Sequence, residues 1–272
     1  MRTPQPGSWP GSKYRAMRLI HPYLPPHEKF VSVFGGIGGD ILAHDATAHE
    51  VLNDLNSDNI RFFRFIQGLH WREFIRQITS FEPTWESWQW ARGVLRSDEP
   101  CEWKRAVAFG VAANLGGTAS DPTSPTASYN HKSKRWKGLA TRLAKSAFRL
   151  ADVELSNLDC LVCIAQHDSP DTLFCVDPPF VLSTQSTTRI YRHQMQDCEH
   201  EELLWRLRKI KGKAVIFGYP SSLYDAILGD WDREEIRLSL ACSVIVAGTK
   251  RRQVTNVVWS NFTLFSKGKL DV

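Results

Sequence analysis

The sequence predicts an α/β fold in which a parallel sheet carries helices on its faces. Residues 30–34 (FVSVF) are an apolar, β-branched and aromatic run that leads directly into a cluster of glycines. Residues 49–53 (HEVLN) form a second short strand before a helical pattern, and residues 172–176 (TLFCV) form a buried strand that stops at two prolines. Strands that alternate with helices favour a parallel sheet.

The remaining elements follow in chain order. A helix is predicted from about Asp40, and Ser57, or alternatively Asn56, is expected to cap the next helix. Residues 84–97 and 101–116 have helical patterns, and the turn-forming loop 116–133 is long enough to be a binding loop or locally mobile. One apolar helix face then contains Trp136, Leu139, Leu143 and Ala147, and further elements are a helix over 199–210 and strands over 214–219, 235–240 and 254–260.

Composition narrows the class of protein. The chain has 272 residues, of which 42% are hydrophobic and 23% charged, and none of its apolar runs approaches the roughly 18 residues that span a bilayer. The polar N-terminus contains no apolar signal-peptide core, so we expect a cytoplasmic protein without a membrane partner. The six cysteines are scattered, and we expect them to be reduced. Cys160 and Cys163 form a CxxC without a second pair, which favours buried structural cysteines over zinc, so no metal is predicted.

Basic residues are distributed unevenly along the chain, whose net charge is +5. The sequence between Asp121 and Asp152 has no acidic residue. The basic residues of this stretch are Lys132, Lys134, Arg135, Lys137, Arg142, Lys145 and Arg149. A polyanion is one natural partner for such a stretch, and a solvated basic helix face is the alternative.

Two features lie where open α/β sheets bind nucleotide-like ligands. The glycines of GGIGG (35–39) permit a close backbone approach at the end of the first strand, although glycines also punctuate many ordinary strand-to-helix turns. Asp54 ends the second strand, where a carboxylate can accept hydrogen bonds from ribose hydroxyls or simply begin a turn.

Asp177-Pro178-Pro179-Phe180 follows the third apolar strand. Prolines lack an N–H group, so a carboxylate followed by two prolines leaves an acceptor-rich edge that suits an NH₂ group, on whose ring Phe180 could stack. For an isolated motif of this kind, a rigid turn that ends a strand and places Phe180 in the core is the favoured explanation.

Several motifs occur together in an order that resembles the Dam-type DNA adenine methyltransferases. Residues 9–14 (WPGSKY) are similar to the family's N-terminal W-x-G-G-K element, with Ser12 in place of a glycine, and residues 34–40 (FGGIGGD) are similar to its glycine motif. Residues 53–56 (NDLN) resemble N-D-x-N, and 172–180 resemble the strand ending in D-P-P-Y, with Phe180 in place of tyrosine. Residues 254–262 are similar to the family's last strand.

The resemblance implies a Rossmann-like methyltransferase fold that uses S-adenosylmethionine. A catalytic domain would comprise 1–60 and 150–272, with a helical, basic target-recognition insertion at 61–149. The implied catalytic residues are Asp177, Pro178, Pro179 and Phe180, and the implied cofactor-binding residues are Trp9, Lys13, Tyr14, Phe34, Gly35, Gly36, Gly38, Asp54, Asn56, Asp159 and Asp177. Asp159 is equally explained as a helix N-cap.

The partner implied is double-stranded DNA, from which the target adenine is flipped into the pocket of a monomer or weak dimer. The expected DNA-binding residues are Lys132, Lys134, Arg135, Lys137, Arg142, Arg189 and Arg192. The loop 181–193, which also contains Tyr191, would close over the base or touch the displaced strand.

The same residues are compatible with two other functions and disfavour a third. A cytosine amino-methyltransferase would use the same acceptors, and a DNA-binding homologue with weak catalysis would keep the fold. A nicotinamide-dependent oxidoreductase is disfavoured because GGIGG departs from the GxGxxG spacing.

Overall fold

The computed structural model describes residues 3–116, 121–124, 127–130, 136–184, 191–239 and 253–264. The strands are β1 (Lys29–Ser32), β2 (His49–Asn53), β3 (Glu154–Ser156), β4 (Thr172–Val176), β5 (Lys213–Gly218), β6 (Asp232–Ser239) and β7 (Gln253–Ser260). The α-helices are α1 (Tyr14–Ile20), α2 (Gly39–Ala43), α3 (Ser57–Gln67), α4 (Trp71–Thr79), α5 (Trp85–Arg96), α6 (Glu102–Leu115), α7 (Leu139–Leu150), α8 (Cys160–His167), α9 (Asp197–Leu207) and α10 (Ser222–Ile227). Among these helices, none is long and apolar enough to cross a membrane.

The strands of the described residues form one seven-stranded sheet in the order β3-β2-β1-β4-β5-β7-β6. The first five strands of this order are parallel, and β7 runs antiparallel to both of its neighbours. The chain leaves β1 toward one side of the sheet and returns to place β4 on the other. In an open α/β sheet such a reversal opens a crevice at the carboxyl ends of the strands.

This architecture confirms the predicted Rossmann-like methyltransferase fold. Residues 49–53 and 172–176 are strands with the predicted bounds, and β5 and β7 begin one residue earlier than predicted. The first strand ends at Ser32, because the chain turns there into the glycine loop. The late strand β6 and the helix α9 also begin earlier than predicted, and α9 begins with a capping box in which Gln196 and Glu199 hold each other's backbone N–H groups.

The prediction that Ser57 caps the third helix is wrong. Asn56 is the cap: its side chain accepts a hydrogen bond from the backbone N–H of Asp58 at 3.1 Å, and Ser57 is the first helical residue. Asn56 takes this role because its amide oxygen reaches the second N–H of the helix while its backbone stays extended.

The helices of the predicted insertion pack on the same core as the sheet. The buried face of α7 includes Leu139, Leu143 and Ala147, as predicted, and Trp136 packs beside them. Every residue from Ala106 to Leu115 in α6 is buried. One continuous cluster of buried side chains joins this helix to Ile37 and Leu52 in the catalytic half. The division of the chain at residues 61 and 149 stays a prediction.

Four short elements had no clear signal in the sequence. They are α1, β3, α8 and α10, which have between three and eight residues each. Over so few residues, neither a 3.6-residue nor a two-residue repeat can establish itself. β3 matters for the site, because it places residues 157–159 beside the end of β2.

Candidate active site

The glycine loop after β1 forms one side of a cavity at the carboxyl edge of the sheet. Gly36 has a φ of +50°, and a Cβ there would lie 2.6 Å from the indole nitrogen of Trp9. Only glycine therefore allows the Trp9 ring to lie flat against this loop. The backbone N–H of Gly35 donates to the Asn53 carbonyl at 2.7 Å, which ties the loop to the end of β2.

Asp54 follows β2 directly and lies against the same loop. One carboxylate oxygen accepts the backbone N–H of Gly36 at 2.7 Å, and the other accepts that of Asn56 at 2.8 Å. Burial raises the pKa of Asp54 to about 6, against the lowering effect of these backbone donors. The oxygen that accepts from Gly36 also accepts from the Asn59 amide at 3.2 Å, so acceptor capacity for a ligand hydroxyl remains on the oxygen that accepts from Asn56.

Asp177, at the end of β4, forms an ion pair with Lys13. The Lys13 Nζ lies 2.8 Å from the Asp177 carboxylate and donates to the Gly11 carbonyl at 2.6 Å, and its side chain is only 4% exposed. Burial raises the pKa of Asp177 to about 6, although the neighbouring ammonium lowers it. Near neutral pH the carboxylate is therefore ionised, yet poorly hydrated.

The ring of Phe180 lies beneath the same ammonium. Lys13 Nζ is 4.6 Å from the ring centroid, and the ring of Tyr219 packs on Phe180 at 4.3 Å. Phe180 is 9% exposed and Pro178 is buried, so both lie behind the wall of the cavity, whereas Pro179 lines it.

The cavity has a volume of about 400 Å³, within the range of pockets that hold small molecules. The predicted site residues that line it are Trp9, Lys13, Phe34, Gly35, Gly36, Asp54, Asn56, Asp159, Asp177, Pro179 and Arg192. Tyr14 and Gly38 are not among its lining residues. Gly38 has a φ of +71°, so glycine is needed there for the left-handed turn that begins α2.

Asp159 is the N-cap of α8, and its contact with a cofactor stays a prediction. Its side chain accepts the backbone N–H of Leu161 at 2.8 Å and so caps α8, and the residue also lines the cavity. In the CxxC pair, Cys160 is partly buried and lines the cavity, whereas Cys163 is buried in the core. Burial raises the pKa of both thiols to about 12. Within the described residues, no three His, Cys, Asp or Glu side chains are arranged to hold a metal ion.

Several cavity residues were not predicted. Asp40 follows the glycine cluster directly and is buried, with Ser32 donating to its carboxylate at 2.6 Å. Asp121 comes from the turn-rich loop and is 2% exposed; its carboxylate accepts from the Thr123 N–H at 2.7 Å and from Asn56 at 3.3 Å. Asp40 could have been predicted as a cavity residue from its position directly after the glycine motif. No pattern in the sequence indicates that Asp121 lies at the cavity.

Arg92 of α5 holds the Asp121 segment in place. Its guanidinium is 3% exposed and donates to the carbonyls of Pro122 and Ser124, the latter at 2.6 Å. The region 61–149, predicted to be an insertion, thus contributes residues 121–124 to the structure around the cavity.

The basic residues predicted to bind DNA have different environments. Lys137 is exposed, whereas Arg142 donates to the Lys137 carbonyl at 2.9 Å and to the Asn114 side chain at 3.4 Å. Arg192 lies at the rim of the cavity, 3.3 Å from the buried carboxylate of Asp58. Lys132, Lys134, Arg135 and Arg189 lie outside the described residues.

Comparison with known proteins agrees with this site. Residues 9–93 match the family model of the D12 class N6 adenine-specific DNA methyltransferases, and this range contains the Trp9–Lys13 element, the glycine loop and Asp54. No curated protein matches the chain. Nothing in these comparisons favours the cytosine alternative. Over residues 9–93 the chain is therefore similar to the D12 class of N6 adenine-specific DNA methyltransferases, and the sheet order agrees with this similarity.

Proposed function

We propose that the chain takes the methyl group from S-adenosylmethionine and transfers it to the exocyclic amine of an adenine flipped out of double-stranded DNA, at Asp177-Pro178-Pro179-Phe180. The observation that carries this proposal is the position of the Lys13 ammonium. It is an N–H donor 2.8 Å from the Asp177 carboxylate and 4.6 Å above the Phe180 ring.

A target adenine would use the same two groups, the Asp177 carboxylate for its amine and the Phe180 ring for its base. When its N–H group donates to Asp177, its ring can stack on Phe180 once the Lys13 ammonium has moved aside. Lysine can vacate the position because its four-carbon stem is flexible. The ammonium therefore occupies the place of the target amine, and the stacking role expected of Phe180 requires its displacement.

The cavity fits the proposed cofactor. Asp54 offers acceptors for ribose hydroxyls, the glycine loop permits close approach of the methionine part, and Trp9 and Phe34 provide apolar surface. Asp159, beside the end of β2, would lie near the cofactor adenine. S-adenosylmethionine supplies a methyl group bonded to a positively charged sulfur.

The chemical contribution of the chain is to make the amine a nucleophile. The nitrogen lone pair of adenine is delocalised into the ring, and hydrogen bonds to the Asp177 carboxylate and the Pro178 carbonyl would localise it and aim it at the methyl carbon. Asp177 takes up the proton that the amine releases as the N–C bond forms and the methyl–sulfur bond breaks, its electrons staying on sulfur. A carboxylate with a pKa of about 6 is a sufficient acceptor, because the methylated nitrogen is acidic before it loses that proton.

A base stacked in a duplex cannot reach this site, so the target must leave the helix. Lys137 is exposed, and Arg192 lies at the cavity rim. Each side chain would contact phosphates of the bound DNA. Arg142, which is engaged within the protein, would support the helix that presents Lys137.

The proposal is tested by incubating the full chain with tritiated S-adenosylmethionine and unmethylated DNA, followed by nucleoside analysis. Label in N6-methyladenine is expected, and label only in cytosine would overturn the base assignment. Calorimetric titration with S-adenosylmethionine gives the second measurement. Binding should be lost in Asp54→Ala and retained in the exposed control Glu201→Gln; binding to DNA alone, without cofactor binding or transfer, would favour a DNA-binding homologue.

A further inference from the structure

The segment 191–195 crosses the cavity between the catalytic motif and the insertion. All five of its residues line the cavity, and its first residue, Tyr191, brings an aromatic ring to the end where Asp177 lies. The Tyr191 hydroxyl donates to the Pro10 carbonyl at 3.2 Å. It also lies 3.1 Å from the position of a Cβ on Gly11, and Lys13 Nζ and the Phe180 ring lie 3.6 and 4.0 Å from the same point. Tyr191 and Phe180 therefore both adjoin the ammonium that occupies the amine position.

The position of Tyr191 is fixed by its neighbours in the segment. The backbone N–H of Arg192 donates to Asp121 at 3.4 Å, and its guanidinium reaches Asp58 at 3.3 Å. Gln194 donates to the Phe180 carbonyl at 3.2 Å. These bonds tie the segment to the insertion on one side and to the catalytic motif on the other, so the ring is held in advance of binding. Preorganisation of this kind reduces the ordering cost when a ligand binds.

Tyr191 is partly buried and lines the cavity. Within the described part of the chain, no aromatic ring or cation packs against Tyr191, whereas Lys13 and Tyr219 pack on Phe180. Burial and the neighbouring carboxylates raise the pKa of Tyr191 far above its usual value, so its hydroxyl stays neutral and continues to donate to Pro10.

We propose that Tyr191 is a base-contacting residue, whose ring packs on the flipped adenine while Phe180 contacts the other side of the base. This inference rests on the proposed function, because it requires an adenine at Asp177. Two aromatic surfaces would restrict the tilt of the base and so keep its amine directed at the methyl group. Phe180 lacks the hydroxyl of the family's tyrosine and contacts the base through its ring alone. The proposed role of Tyr191 also depends on its ring and not on a hydrogen bond to the base, because its hydroxyl donates to Pro10.

The test compares three variants of the full chain: Tyr191→Leu, which keeps apolar volume without the aromatic face, Tyr191→Phe, which keeps the ring, and Tyr23→Leu, an exposed control in the short 3₁₀ helix His21–Tyr23. The measurements are kcat, the KM for DNA, the melting temperature, and the affinity for S-adenosylmethionine. We expect Tyr191→Leu to lower kcat by about 10- to 100-fold, as loss of one stacking partner does. Tyr191→Phe and Tyr23→Leu should stay within about threefold of wild type, and cofactor affinity should change by less than about threefold in all three.

A second measurement first identifies the recognition sequence by methylation-sensitive sequencing of treated DNA. The target adenine in that sequence is then replaced with the fluorescent base 2-aminopurine. Stacking quenches this base, so its fluorescence in the complex should be higher with Tyr191→Leu than with wild type. Equal fluorescence, an unchanged kcat in Tyr191→Leu, or an equal loss in Tyr191→Phe would overturn the role of the ring. Absence of N6-methyladenine with the wild-type chain would instead overturn the proposed function.

Discussion

The carboxyl edge of the sheet and the helical region 61–149, predicted to be an insertion, differ in the surroundings of their buried charges. At the sheet edge, Asp54 and Asp177 face a cavity, and burial raises the pKa of each to about 6. In the insertion, the buried Arg92 is engaged with carbonyls of the chain, and Arg105 pairs with the carboxylate of Asp58 at 2.7 Å. The first region keeps acceptor capacity for a ligand, whereas the second uses its polar groups to hold the structure together.

This difference indicates where substitutions should affect catalysis and where they should affect stability. A residue that faces the cavity with remaining hydrogen-bonding capacity should change the reaction when it is replaced. A residue whose polar atoms are engaged within the protein should change the free energy of unfolding first. The four predictions below test that distinction, beginning with the largest effect.

Asp177→Asn should cause the greatest loss. The amide keeps the shape of the carboxylate but removes its negative charge and its capacity to take up a proton, so kcat should fall by about 100- to 1000-fold. Tritiated methyl transfer to DNA measures the loss, with the exposed carboxylate Glu201 as the matched control in Glu201→Gln. Retention of more than about a tenth of the wild-type rate would mean that the charge of Asp177 is not needed.

The pH dependence of the reaction should follow the same carboxyl group. Its pKa in the folded chain, about 6, is above the ordinary value, so protonation begins at a higher pH than for an exposed aspartate. The protonated form cannot accept from the amine as a carboxylate does, so kcat/KM for DNA at saturating cofactor should fall about tenfold for each pH unit below about 6. A profile that stays level down to pH 5 would contradict this assignment.

Arg92→Ala should act through stability. It leaves the buried carbonyls of Pro122 and Ser124 without their donors, which should cost about 2–3 kcal/mol of unfolding free energy and lower the melting temperature by several degrees. Affinity for S-adenosylmethionine should also weaken, because the segment next to these carbonyls lines the cavity. Arg76→Ala, in which an exposed pair with Glu73 is lost, is the control and should leave both measurements unchanged. Equal effects in the two variants would remove the distinction between buried and exposed arginines.

The smallest expected effect separates two neighbouring basic residues. Lys137→Gln should weaken DNA binding at low salt and reduce the slope of log affinity against log salt by about 1, with the melting temperature unchanged. Arg142→Gln should lower the melting temperature instead, because its guanidinium joins α7 to the end of α6. Salt titrations of DNA binding and thermal unfolding of both variants distinguish the two roles. A similar result for both variants would mean that the exposure of Lys137 does not predict a contribution to DNA binding.

The sequence allowed the fold and the cavity edge to be predicted because those features depend on local patterns. The apolar runs at 49–53 and 172–176 gave strands with the right bounds, and the residues that end β1, β2 and β4 meet at one edge of the sheet. Parallel strands bring their carboxyl ends together whatever the rest of the chain does. The position after a strand placed Asp54 and Asp177 at this edge, whereas their expected roles came from the order of the motifs and the family resemblance.

The parts that could not be predicted depend on contacts between distant segments. Asp121 reaches the cavity because Asn56 and Arg92 bind its segment, and the pairing of Lys13 with Asp177 joins residues 164 positions apart. Neither contact leaves a periodic signal in the sequence. The engagement of Arg142 is a third example, since an arginine in a basic stretch gives no indication of whether it faces solvent or a neighbouring helix.

Asn56 has a consequence for how this protein could be recombined. The residue belongs to the N-D-L-N motif, caps α3, and donates to Thr123 at 2.9 Å, so one side chain joins this motif to the segment 121–124. The region 61–149, predicted to be an insertion, therefore cannot be exchanged by joining a foreign segment at its two ends alone. A chimera would need to bring counterparts of Asp121 and Thr123, or it would lose part of the pocket.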